Sequence, residues 1–185
     1  MFARCRSFFT KVKYKLKFGS SLKTAKKVFF PKNTDITIQN GKISIGAPFS
    51  ASPGLRMAAV RGGEITIGNN VAFNRNTIMV CHQQISIGNG CSFGPNVTLY
   101  DHDHTFDSHG FSREKFKSAP IVIEDGVWIA AGVIILKGTH IGKGSVIGAG
   151  TVVRGHIPPH SLVTGNKEVI VRPIHDTPEY PDSSK

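Results

Sequence analysis

The 185-residue chain is short of several features that would point a strongly basic protein toward familiar functions. Its three cysteines, Cys5, Cys81 and Cys91, are odd in number and include no C-x-x-C pair, so neither a disulfide framework nor a zinc ribbon is indicated. A reducing, cytosolic setting is the expectation. No apolar run reaches the length of a signal core or a membrane span, because Lys11, Lys13, Lys15 and Lys17 interrupt the N-terminal segment. Acidic residues are absent from positions 1–32, which hold ten of the 23 Lys/Arg; from Asn33 onward 13 bases face 12 acids. The formal charge of +11 therefore belongs to an N-terminal arm and not to a face of the body, which argues against nucleic-acid binding. The length suits a single core.

What the sequence does have is a repeat. Aliphatic residues fall every six positions at Ile123, Ile129, Ile135, Ile141, Ile147 and Val153. Four positions after the first five come Val127, Val133, Thr139, Ser145 and Thr151, and three positions after them Gly126, Gly132, Gly138, Gly144 and Gly150. A period of six fits neither a helix nor a hairpin sheet; it fits short strands joined by tight turns, each hexapeptide forming one side of a three-sided coil. The aliphatic residue fills the interior, the small one leaves it room, and glycine supplies the turn. The fold class is thus an all-β parallel β-helix.

A looser copy runs through Ile67, Phe73 and Met79, slips by two residues around His82, Gln83 and Gln84, and restarts at Ile87, Phe93 and Leu99. Further coils are expected upstream around Ile36, Ile38, Ile43, Ile45 and Ile65. Between Leu99 and Ala119 the repeat disappears into a polar, charged stretch, read as an extruded loop over 100–119; long loops on a regular scaffold carry function. The organisation expected is a basic arm or cap over 1–34, a β-helix over 35–172 and a tail over 173–185. In the arm, Val12, Tyr14, Leu16 and Phe18 alternate as in a strand, while Phe2, Cys5, Phe8, Phe9, Val12 and Leu16 keep helical spacing, and both readings stand. The plainer role is a cap with solvated lysines; the alternative is peripheral contact with an anionic membrane at its inner face.

Four stretches carry a family likeness: FNRN (Phe73 to Asn76), FGPNVTLYDHDHTFD (Phe93 to Asp107), GVWIAAGVIILKGTHIGKGSVIGAGTVV (Gly126 to Val153) and IPPHSLVTGN (Ile157 to Asn166). In these the chain resembles the hexapeptide-repeat acyltransferases, in the branch of galactoside, maltose, xenobiotic and bacterial polysaccharide O-acetyltransferases. The resemblance implies left-handed coils, against the usual crossover rule, and a homotrimer with sites between subunits. It also implies acetyl-CoA as acyl donor, no metal, and as acceptor a sugar hydroxyl of a capsule, lipopolysaccharide or exopolysaccharide precursor.

Counting from Pro95, the family's loop base falls on His104, and an imidazole of ordinary pKa near 6.5 suits proton transfer from a hydroxyl. Asn74 matches an acceptor-contacting asparagine; otherwise it is a turn residue tolerating left-handed backbone. His82 aligns near the acceptor pocket with a changed residue type. His102 aligns with a non-catalytic position, which implies a substrate-contact or structural role, and Asp101, Asp103 and Asp107 are candidates to orient the imidazole or bind sugar. Trp128 lies between inward Val127 and Ile129, so it points outward and needs cover from a neighbouring subunit or coenzyme A. Ala131 and Ala149 match positions whose backbone meets the pantetheine arm. Arg154 and Arg172, with Lys143 and Lys167, fall near phosphate-binding positions, although Arg154-Gly155 and Asn166-Lys167 depart from the family's Thr-Lys and Asn-Pro.

Two alternatives use the same solenoid. One is a γ-carbonic-anhydrase-like zinc enzyme, with His82, His104 and His109 as ligands; the other is a non-catalytic scaffold.

Overall fold

The computed structural model of the chain describes residues 2–26, 28–108 and 110–165. Each hexapeptide forms one short strand, and successive strands pass to successive faces of a triangular prism, so that each strand pairs in parallel with its counterpart one coil later. Ile123 lies opposite Ile141, Ile129 opposite Ile147 and Ile135 opposite Val153. The first face holds seven strands from Leu22–Thr24 to His156–Ile157, the second six from Phe49–Ala51 to Leu162–Val163, and the third six from Asp35–Ile38 to Val152–Val153. The result is a left-handed parallel β-helix. Its inward aliphatics are essentially solvent-free, Ile43, Ile85, Ile121, Ile129, Ile135 and Ile147 all at 0% exposure. Each such side chain contributes about 1.5–3 kcal/mol by burial.

The corners explain why the repeat reads clearly downstream and weakly upstream. Gly126, Gly132, Gly138, Gly144 and Gly150 have φ of 65–75°, a left-handed conformation that costs a residue with a Cβ. At upstream turns the same conformation is taken by Asn40, Asn70, Asn76 and Asn96, with φ of 54–59°, since asparagine is the next most tolerant residue there. The small residues at the coil interior include hydroxyls that are buried and bonded: Thr139 donates to the Leu136 carbonyl at 2.6 Å, Ser145 to that of Pro158 at 3.0 Å and Thr151 to that of Gly148 at 2.7 Å.

The arm is a helix, Phe2–Phe18, followed by a 3-10 turn, Gly19–Ser21. Helical spacing wins over strand alternation because Tyr14 and Phe18, one turn apart, stack at 6.1 Å on the side facing the solenoid. Tyr14 donates to the Thr34 carbonyl at 2.7 Å, and Lys11 to that of Ala25 at 2.8 Å. An aromatic column then runs down the interior, from Tyr14 to Phe30 (6.1 Å), Phe49 (6.3 Å), Phe73 (5.8 Å) and Phe93 (4.5 Å).

Departures from regular coiling gather at one corner, between the third and first faces, the earlier of them where Ile45 pairs with Ile67, 22 positions on. Ile67 pairs with Ile87, 20 positions on, where Ile123 pairs with Ile141, 18 on; the two extra residues are the slip at 82–84. Ile87 in turn pairs with Ile123, 36 positions on, and this doubled step holds an antiparallel hairpin, His102–Asp107 with Gly110–Ser118.

Candidate active site

The slip and the hairpin are tied together by Asp101, which is wholly buried. Its Oδ1 accepts the backbone N–H of His82 at 2.8 Å and the Nδ1–H of His102 at 3.1 Å. Its Oδ2 accepts the N–H groups of Gln83 at 2.7 Å and Gln84 at 2.9 Å, with the Cys81 thiol at 3.3 Å. Burial alone would raise this carboxyl; the bonds from His102, His82, Gln83 and Cys81 outweigh it and hold it below the usual carboxylate range. Burial and the Asp101 charge push the Cys81 thiol up, so it stays protonated. Asp101 therefore has no free oxygen for an acceptor. It shapes the two-residue slip and fixes the tautomer of His102.

Above it the His82 and His102 rings stack at 3.4 Å, within 4° of parallel. Phe116 of the hairpin meets both, at 4.7 Å and 5.7 Å, and the Arg61 guanidinium lies over the Phe116 ring at 4.5 Å. Burial first, then the neighbouring His102, lowers the His82 pKa to about 4. Among the described residues its buried Nδ1 has no hydrogen-bond partner.

His104 is exposed, two residues along the same strand. Its Nδ1 lies 2.8 Å from the carbonyl oxygen of Ser112 across the hairpin. A carbonyl only accepts, so Nδ1 carries the proton and Nε2 of the neutral ring carries the lone pair. Phe116 and Phe111 bracket the ring at 4.5 Å and 5.7 Å. His104 is thus oriented by a backbone group, the Ser112 carbonyl.

Asp103 and Arg154, expected in separate roles, are joined: Arg154 reaches Asp103 Oδ2 at 3.2 Å, and Lys137 the same oxygen at 3.3 Å. The structure thereby places the Arg154 guanidinium at the base of the hairpin. Arg61, Phe116, Ser112 and Lys137 also belong to this corner and carry no sequence signal, being off the hexad or acting through backbone.

The other candidates sit elsewhere. Asn74, Ala131 and Ala149 are exposed at the corner between the second and third faces, where the Gly150 N–H bonds the Ala131 carbonyl at 2.9 Å and stacks successive turns. Asn74 Oδ1 accepts the Arg75 N–H at 2.8 Å; the left-handed residue of that turn is Asn76, not Asn74. Trp128 points outward as the hexad requires, 55% exposed, in register with Ser92 and Val146. Exposed Leu162, Ile134 and Val152 continue the apolar surface on the second and third faces. One chain therefore holds two distinct corners on either side of its third face: a histidine corner, and a corner of small residues that follows the strand of the exposed Trp128. Lys143 is exposed and its backbone N–H bonds Glu124. Lys167, Arg172 and His109 lie outside the described residues. Among the described residues no three His, Cys, Asp or Glu side chains converge as a metal-ligand group, and the stacked rings of His82 and His102 turn faces, not nitrogens, toward each other.

The repeat is matched by the family of bacterial transferase hexapeptides (six repeats) over residues 120–155. Among curated proteins none matches the chain. Among solved structures, a hexapeptide-repeat-containing acetyltransferase from Vibrio cholerae O1 biovar eltor, in complex with acetyl coenzyme A, is 31% identical over 78% of this chain and 73% of its own, with a TM-score of 0.54. A maltose O-acetyltransferase from Clostridium difficile 630 is 26% identical over 90% and 76%, with a TM-score of 0.55. The N-acyltransferase AntD from Bacillus cereus, at 19% identity over 87% of each chain and a TM-score of 0.70, shares the fold. With the coil, the matched hexapeptide repeat and a relative 31% identical over 78% of the chain in agreement, the chain belongs to the hexapeptide-repeat acetyltransferases.

Proposed function

We propose that the protein transfers an acetyl group from acetyl-CoA to a sugar hydroxyl, with His104 as general base. The observation that carries this reading is the bond from His104 Nδ1 to the Ser112 carbonyl, which leaves Nε2 unprotonated on an exposed, braced ring. Acetyl-CoA supplies the thioester. His104 Nε2 takes the acceptor hydroxyl proton as that oxygen bonds to the thioester carbonyl carbon, and returns it to sulfur as the carbon–sulfur bond breaks. The exposed backbone at Ala131 and Ala149, next to Trp128, fits a narrow pantetheine arm. Because this surface and His104 occupy different corners of one chain, the reading includes a homotrimer in which one subunit's histidine corner faces its neighbour's small-residue corner.

A sugar hydroxyl is favoured over an amine because the maltose O-acetyltransferase is among the related structures. FNRN and YDHDHTFD favour a cell-surface polysaccharide precursor, which sets the reaction at the cytosolic side of the membrane. A thiol-release assay with acetyl-CoA against nucleotide sugars, free glycosides and lipid-linked sugars tests the reading. Release with a sugar alcohol and not with its amino analogue supports it; release only with amines assigns N-acylation, and no release with any acceptor returns the scaffold reading.

A second reading has its own observation. His102 also has an Nδ1 held by an acceptor, the buried Asp101. Its Nε2 could serve as base if His104 only binds, and the His102→Ala variant separates the two.

A further inference from the structure

The N-terminal helix has two unlike sides. Tyr14 and Phe18 face the solenoid, and Lys11 turns inward to the Ala25 carbonyl. Half a turn away Val12 and Leu16 project into solvent, 38% and 83% exposed, between the exposed ammonium groups of Lys13 and Lys15. In the sequence the same helical spacing continues back through Phe9 and Cys5, with Arg4 and Arg6 on either side of Cys5. Among the described residues no acid is paired with Lys13 or Lys15: in the sequence no acid precedes Asp35, and Asp35 is paired with Arg56 at 3.4 Å.

An apolar stripe edged by lysines, on a helix already anchored to its domain by the opposite side, has the chemistry of an interfacial helix. We propose that this outer side docks on an anionic phospholipid surface. Leu16 and Val12 enter the boundary between headgroups and acyl chains, Lys13 and Lys15 lie over the phosphates, and the Tyr14 side stays on the first coil. The contact is peripheral, since no helix among the described residues is long and apolar enough to cross a membrane. Charge complementarity selects this occupant: a second copy of the chain would bring an equally basic arm against this one, whereas an anionic bilayer supplies the missing counter-charge. The proposal does not depend on the acetyl-transfer reading, because binding is measured without turnover.

The test is co-sedimentation of the full chain with vesicles of phosphatidylcholine alone and of phosphatidylcholine mixed with phosphatidylglycerol. Binding is expected only to the mixed vesicles and should weaken as salt rises. Each of Lys13→Gln and Lys15→Gln should reduce it about fivefold at low salt, and Leu16→Glu about tenfold or more. Thermal midpoint and thiol release on a soluble acceptor should be unchanged, because Leu16 buries almost nothing in the folded chain. Absent binding to anionic vesicles, equal binding to both vesicle types, or unaltered binding by Leu16→Glu would overturn the proposal. A change in oligomeric state of Leu16→Glu by light scattering would overturn it too, by assigning this side to a subunit contact.

Discussion

The imidazole of His82 lies flat on that of His102, 3.4 Å between ring centres, while Asp101 holds the backbone of the first and the Nδ1–H of the second through one oxygen. Burial penalises a charge on His82, repulsion from a second histidine that close adds to the penalty, and its pKa falls to about 4. The folded chain therefore keeps His82 neutral between about pH 6.5 and 4, where the unfolded chain binds a proton. The stability this neutral ring contributes is complete above about pH 6.5 and is lost as pH falls through that window. Thermal midpoints should drop from pH 7 to 4.5 in the wild type. In His82→Phe, which keeps a stacked ring without a titrating group, the drop should be distinctly smaller; equal slopes would show that the acid sensitivity lies elsewhere.

Asp101→Asn should be among the costliest single-atom changes in the corner. Asparagine offers one acceptor oxygen and turns an N–H donor toward a site already crowded with five donors, leaving buried N–H groups unpaired. A loss of about 2–4 kcal/mol in chemical denaturation is expected, with residual activity falling further because the slip and His102 lose their template.

Asp103 binds both Arg154 and Lys137. If this triad braces the hairpin that bears His104, Arg154→Ala should lower kcat while moving KM for acetyl-CoA by less than about twofold. A large rise in KM with kcat intact would return Arg154 to the phosphate role that its sequence position suggested.

The coil's grammar predicts an order of substitutions at Gly132, whose φ is 68° and whose added Cβ would meet nothing closer than 4.0 Å. Only backbone strain is at stake. Gly132→Ala should cost about 1 kcal/mol, and Gly132→Asn less, because Asn96 adopts φ of 59° one coil earlier at the same corner. Urea midpoints of the two variants decide the order.

The fold was legible because six aliphatics in strict register allow one architecture, and because Trp128, flanked by inward neighbours, had to face out. The upstream coils were harder to read for a chemical reason: Asn76 and Asn96 do there what glycine does downstream, so the turn signal changes letter. The slip at 82–84 was visible as an irregularity, yet its cause was not, since Asp101 lies 17 to 19 positions from the N–H groups it gathers. The Asp103–Arg154 pair spans 51 positions and has no local signature. Nor could the sequence reveal what orients His104, because the partner is a backbone carbonyl, a group that every residue possesses. In the arm, two periodicities overlapped, and the stacking of Tyr14 with Phe18 settled them.

The central claim rests on His104, and single-turnover thiol release from acetyl-CoA, with a productive sugar acceptor, compares it most directly with its neighbour. His104→Ala should reduce the rate by about 10²–10⁴-fold, with unchanged thermal midpoint and oligomeric state, while His102→Ala should retain most of the rate once its loss of stability is allowed for. Near wild-type turnover in His104→Ala, or a collapse confined to His102→Ala, would contradict the account and transfer the proton to the ring that Asp101 holds.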